Sequence, residues 1–92
     1  MNETMTRQVT IVNARGLHAR AAAKFVETVR GFEANVRVTK DGETVNADSI
    51  MELLMLAASK GSTIQIQSEG LQAQESLDRL VELVEAGFYE ED

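Results

Sequence analysis

The chain has 92 residues, 43% of them hydrophobic and 26% charged, and a formal net charge of −6. That length supports one small core and no deep, elaborate cavity, in a composition ordinary for a globular domain. With no cysteine and a single histidine, disulfides, thiolate metal centres and multi-histidine zinc sites are excluded, and the acidic charge argues against nucleic acid as the main partner. No apolar run approaches the roughly 20 residues of a membrane helix, and the N-terminal Met-Asn-Glu-Thr-Met-Thr-Arg lacks an apolar core. No membrane association and a cytoplasmic location are therefore expected.

Val9-Thr10-Ile11-Val12 reads as a strand, with Val9 and Ile11 on one face. Gly16-Leu17-His18-Ala19-Arg20 stands where this alternation gives way to helical spacing. Ala19, Ala22, Ala23, Val26 and Val29 then mark the stripe of a helix ended by Gly31. Val36 and Val38 alternate with Arg37 and Thr39 in a second strand, and Asp41-Gly42 is a two-residue hairpin signal leading into Glu43-Thr44-Val45. Ser49 with Glu52 predicts a capping box that opens a short helix to about Ser59, stopped by Lys60 and Gly61. Thr63-Ile64-Gln65-Ile66-Gln67 alternates as a fourth strand. Leu77, Leu80, Val81 and Val84 form the apolar stripe of a last helix, stopped near Gly87.

The order β-α-β-β-α-β-α predicts an α+β open-faced sandwich, a sheet covered by helices on one side. One domain is expected over 1–92, with 1–6 and 88–92 as frayed ends. The acidic run of the tail reads as a solvated face with no chemistry.

His18 is the only histidine, at a predicted helix N-terminus. Unpaired backbone N–H groups and partial positive charge make such a terminus an anion site. An imidazole nitrogen there can accept a phosphoryl group, with Arg20 as a planar, permanently charged donor two residues on. Arg15 has the same capacity, and Gly16 offers backbone freedom or close approach at the turn. Residues 15–30 carry Arg15, Arg20, Lys24 and Arg30 against Glu27 alone, so the local field favours phosphate or an acidic protein. This is the layout of a phosphohistidine carrier. A general-base enzyme is the weaker reading, because His18 has no evident acidic partner and the chain is too short for a deep pocket. Ser49 is accounted for by capping. The segment 50–58 is apolar nearly all round, with Glu52 its polar residue, so part of it must face outwards.

From Gln8 to about Val84 the chain resembles HPr, the histidine-containing phosphocarrier family of the bacterial phosphoenolpyruvate-dependent phosphotransferase system. The resemblance rests on Gly16-Leu17-His18-Ala19-Arg20 after the first strand and Val45-Asn46-Ala47-Asp48-Ser49-Ile50-Met51 before the second helix. It implies an antiparallel sheet of order 1-4-2-3 with the helices on one face, in a monomer that needs no cofactor. It also implies a relay: phosphorylated enzyme I passes a phosphoryl group to the δ nitrogen of His18, and His18 passes it to a histidine of an enzyme IIA domain. The chain is then a carrier acted on by other enzymes, with Arg20 stabilising the phosphate and Arg15 and Gly16 in support. By the same resemblance, Ser49 is a candidate for phosphorylation by a regulatory serine kinase and for removal of that phosphate by a phosphatase. Leu53 and Leu56 face the core, leaving Ile50, Met51, Leu54 and Met55 as a docking patch. Ala21 departs from the proline usual in the family, which tilts the reading from sugar uptake towards the nitrogen-related regulatory branch. The alternative is a non-catalytic HPr-like adaptor acting through the Ile50–Met55 surface, against which the presence of His18 and Arg20 argues.

Overall fold

A computed structural model describes residues 3–90. In chain order it contains β1 (Glu3–Thr10), α1 (Ala19–Arg30), β2 (Asn35–Lys40), β3 (Glu43–Asn46), α2 (Ile50–Met55), β4 (Thr63–Gly70), α3 (Ala73–Glu85) and a closing 3-10 turn, Gly87–Tyr89. The four strands form one antiparallel sheet of order β1-β4-β2-β3, the order that the family resemblance implies. Among the described residues no helix is long and apolar enough to cross a membrane.

Period-two alternation gives this sheet one dry face. Val9 lies opposite Ile64, Ile66 opposite Val38, and Val38 opposite Val45, and all five are buried. Phe25, Val26, Leu53, Leu77, Leu80 and Val84 close over them from the helices. Each such side chain contributes about 1.5–3 kcal/mol through burial, so the one-sided core is the main source of stability. The β2–β3 reversal is the Asp41-Gly42 hairpin expected, with φ of 51° and 82°; positive φ at both central residues is the signature of a type I′ turn. Ser68 of β4 and Ser76 of α3, both buried, meet in a 2.6 Å hydroxyl–hydroxyl hydrogen bond.

Four local expectations are corrected. The buried stripe of α1 is Ala21, Ala22, Phe25, Val26 and Val29; Ala19 is exposed and Ala23 half-buried, because Phe25 centres the face. The second helix ends at Met55 and not near Ser59, since Ala57 adopts φ 50° and turns the chain away. The first strand starts at Glu3 and ends at Thr10, short of Val12. Residues 3–6, expected to fray, are paired along β4 as far as Glu3 opposite Gly70, because β4 is eight residues long and offers a full ladder. The tail is likewise ordered through Glu90, for Phe88 is fully buried in the core. Residues 1, 2, 91 and 92, the remainder of the expected frayed ends, lie outside the described residues.

Candidate functional site

Between β1 and α1 the chain crosses the end of the sandwich in a loop, 11–18, pinned on both sides. Ile11 exchanges hydrogen bonds with the loop before β4, its N–H donating to Ser62 O (2.8 Å) and its carbonyl accepting from Gly61 N (2.8 Å). The Leu17 N–H donates to Ala58 O, also at 2.8 Å. Gly16 sits between these anchors, buried and at φ +65°. A Cβ there would lie 2.5 Å from Ala58 O and 2.8 Å from Ser59 Cα, so the two loops touch through backbone.

This crossing delivers His18 to the N-cap of α1, with extended backbone (φ −80°, ψ 178°) and its carbonyl accepting from Ala22 N at 2.8 Å. The N–H groups of Ala19, Arg20 and Ala21 fall in the first turn, where no carbonyl lies four residues back. No acidic side chain occupies that turn. His18 Nδ1 faces this open end and accepts from Arg20 N at 3.3 Å. A nitrogen that accepts an N–H carries its lone pair there, so the nucleophilic electron pair points at the positive end of the helix. The side chains of Arg20 and Arg15 are exposed, and among the described residues neither has a hydrogen-bond or ion-pair partner.

The other ring nitrogen has an acidic partner that is not evident in the sequence. Glu90 Oε2 contacts His18 Nε2, and Glu90 Oε1 accepts from Asn13 Nδ2 at 2.9 Å. The same Asn13 amide donates to Gly16 O at 2.8 Å, which ties the tail to the loop that carries His18. Lys24, one turn into α1, donates from Nζ to Phe88 O at 2.7 Å. Gly87, Phe88 and Tyr89 all have φ near +60°, a tight left-handed reversal that sends Phe88 into the core and Glu90 back towards His18. The His18 side chain is 22% exposed and that of Glu90 10%. Partial burial works to raise the Glu90 carboxyl, but the hydrogen bonds from Asn13 and His18, with the nearby charge of Lys24, outweigh it. The group is held below the ordinary carboxylate range.

Two expectations are thereby corrected: that the tail is a solvated face, and that His18 has no acidic partner. Asn13, Phe88 and Glu90 were missed because their roles depend on a reversal three residues long. The available signal was a large aromatic directly after Gly87, which reads as an anchor more readily than as a fraying end.

The second group of candidate residues lies on α2. Ser49 Oγ accepts from Glu52 N at 3.2 Å, one half of the expected capping box. The other half is redirected, for Glu52 Oε1 accepts from Asn46 N (3.0 Å) and not from Ser49 N. Leu53 and Leu56 are buried, while Ile50, Met51, Leu54 and Met55 are 38%, 74%, 36% and 66% exposed. Arg30 Nη2 approaches Asp48 O (3.4 Å) at one end of α2, and Leu17 bonds Ala58 beyond the other. The short helix therefore runs antiparallel beside α1, its C-terminal end towards the His18 loop and Ser49 towards the far end. Among the described residues no group of acidic or histidine side chains could hold a metal ion.

Residues 5–86 match the family described as PTS HPr component phosphorylation site. The chain is similar to the phosphocarrier protein HPr of Pseudomonas aeruginosa, with 46% identity over 84 residues covering 90% of this chain and 93% of the relative. It is 41% identical over 86 residues to the corresponding protein of Cupriavidus necator, covering 94% and 97%. In three dimensions it is similar to the crystal structure of HPr-C-His from Thermoanaerobacter tengcongensis, with a TM-score of 0.91 and 40% identity over 96% of this chain and 99% of that one.

Proposed function

The chain belongs to the HPr family of the phosphotransferase system, and from that premise we propose that it carries a phosphoryl group on Nδ1 of His18, taken from enzyme I and passed to a histidine of an enzyme IIA domain. The observation that carries this reading is the aim of Nδ1 at the open N-terminus of α1. The Nδ1 lone pair attacks the phosphorus of the donor phosphohistidine. The new P–N bond forms as the donor bond breaks, and the donor imidazole leaves with that electron pair. The amides of Ala19, Arg20 and Ala21 and the Arg20 guanidinium then receive the phosphoryl oxygens, with Arg15 in reach of the same charge. Gly16 supports the site by letting the loop lie flat on 58–59. Transfer onward repeats the step with the new imidazole as attacker, so the chain needs no cofactor of its own.

The patch Ile50, Met51, Leu54 and Met55 is the surface that such partners would cover, because two methionines adapt to more than one shape. Ser49 is a target for a regulatory serine kinase in this reading. A phosphate there would sit at the positive end of α2 and beside the patch, not at His18, and would act by charging the docking surface. The chain then works as a monomer in the cytoplasm, in sugar uptake or in the nitrogen-related relay that Ala21 favours.

The test is incubation of the chain with enzyme I, magnesium and phosphoenolpyruvate, followed by mass analysis. One phosphoryl group is expected, labile in acid, stable in base, and mapped to the peptide containing His18. No gain, or a gain mapped elsewhere, overturns the reading. For the docking patch, Leu54→Glu is expected to weaken enzyme I binding by about tenfold or more, since a carboxylate would have to be desolvated at the contact. Leu54 is only partly covered, so the loss of stability should stay near ~1 kcal/mol. A titration paired with a thermal melt checks both, and a collapsed melting temperature with unchanged affinity would assign Leu54 to the core instead.

A further inference from the structure

The carboxylate of Glu90 holds the His18 ring by the nitrogen that does not face the helix. An ionised carboxylate only accepts hydrogen bonds, so the nitrogen facing it must carry the proton. Nδ1 meanwhile faces the Arg20 N–H and must carry the lone pair. The two contacts specify one tautomer and one ring orientation. We infer that Glu90 is a positioning residue for His18: by accepting from Nε2–H it keeps the proton off Nδ1 and fixes the ring with that lone pair at the mouth of α1. The inference rests on Nδ1 of His18 as the phosphoryl acceptor.

Glu90 is itself held on several sides. Asn13 Nδ2 binds its second oxygen, Lys24 binds the carbonyl two residues before it, and Phe88 anchors the reversal in the core. A solvated tail carboxylate would need none of these, whereas a group that must stay within reach of one imidazole needs all of them. The arrangement follows the logic of a carboxylate that orients a catalytic histidine through its far nitrogen. As Nδ1 forms its bond to phosphorus, no proton needs to leave. The ring gains positive charge, Nε2–H keeps its proton, and the carboxylate offsets the charge at that edge.

The experiment compares the full chain with its Glu90→Ala and Glu90→Gln variants. Nitrogen-15 NMR of the unphosphorylated protein reads the imidazole, and rapid-quench transfer from phosphorylated enzyme I reads acceptance. The intact chain should show a hydrogen-bonded Nε2–H proton protected from exchange with water. In Glu90→Ala that resonance should vanish and acceptance should slow about tenfold, the usual scale for losing an orienting partner. Glu90→Gln should be slowed as well, because its amide replaces one acceptor oxygen by an NH2 donor, which then opposes either the Asn13 amide or the His18 Nε2–H. The inference is overturned if the resonance is absent from the intact chain or persists in Glu90→Ala. It is equally overturned if the variants accept phosphate at the original rate or faster. The NMR arm needs no phosphate, so an intact chain that shows the resonance but takes up no phosphoryl group would sink the proposed function and leave the Glu90–His18 contact standing.

Discussion

The His18→Ala chain is expected to take up no phosphoryl group from phosphorylated enzyme I while remaining folded. The chemistry leaves no substitute, since the chain has no second histidine and no cysteine. The hydroxyl of Ser49, the regulatory candidate, is engaged as the cap of α2 and lies towards the far end of α1. Label arriving there would be an ester, stable in acid, and so distinguishable from a phosphoramidate. Structurally the loss is moderate. His18 is partly exposed; its Nδ1 caps Arg20 N and its Nε2 meets Glu90, which keeps the hydrogen bond from Asn13, so a cost of about 2 kcal/mol is expected. For a domain of this size that is a fall in melting temperature of up to about 15 °C. Acid-labile label retained on His18→Ala would remove His18 from the reaction.

Much of this architecture is legible along the chain because its elements are set by local rules. Asp41-Gly42 demands a tight hairpin, Ser49 a helix start, and Thr63–Gln67 one dry face, and each is found in place. The junction at His18 is legible for the same reason, as a change of period at a glycine. What escapes is what depends on distant partners. Nothing near Glu3 says that β4 will be long enough to pair it. Nothing near Ala57 says that the helix must stop so that Ala58 O can meet Leu17 N. The Glu90–His18 contact spans 72 positions and depends on three consecutive left-handed residues, two of them aromatic. Neither aromatic has a local preference for that conformation; burial of Phe88 supplies the compensation.

Gly16→Ala should be among the most damaging single-methyl changes available in this protein. An alanine held at φ +65° costs about 1–2 kcal/mol by backbone sterics alone. Its Cβ would also meet the carbonyl oxygen of Ala58 at 2.5 Å and the Cα of Ser59 at 2.8 Å. Those are backbone atoms of a pinned loop and cannot rotate away, so one of the two loops must move. The hydrogen bond from Leu17 N to Ala58 O is the first casualty, at about 1 kcal/mol. Together these terms imply a loss of about 3 kcal/mol or more and a melting temperature lower by upwards of ~12 °C. The displacement should also be felt in transfer, because Gly16 O is one of the two acceptors that hold the Asn13 amide against Glu90. Gly42→Ala provides the control. Gly42 also has positive φ, at 82°, but nothing lies within 4 Å of its would-be Cβ. It should therefore show the backbone cost alone, about 1–2 kcal/mol, with normal transfer. If Gly16→Ala melts no lower than Gly42→Ala and accepts phosphate as fast, the contact between loops 13–17 and 56–60 yields freely and does not hold His18 in place.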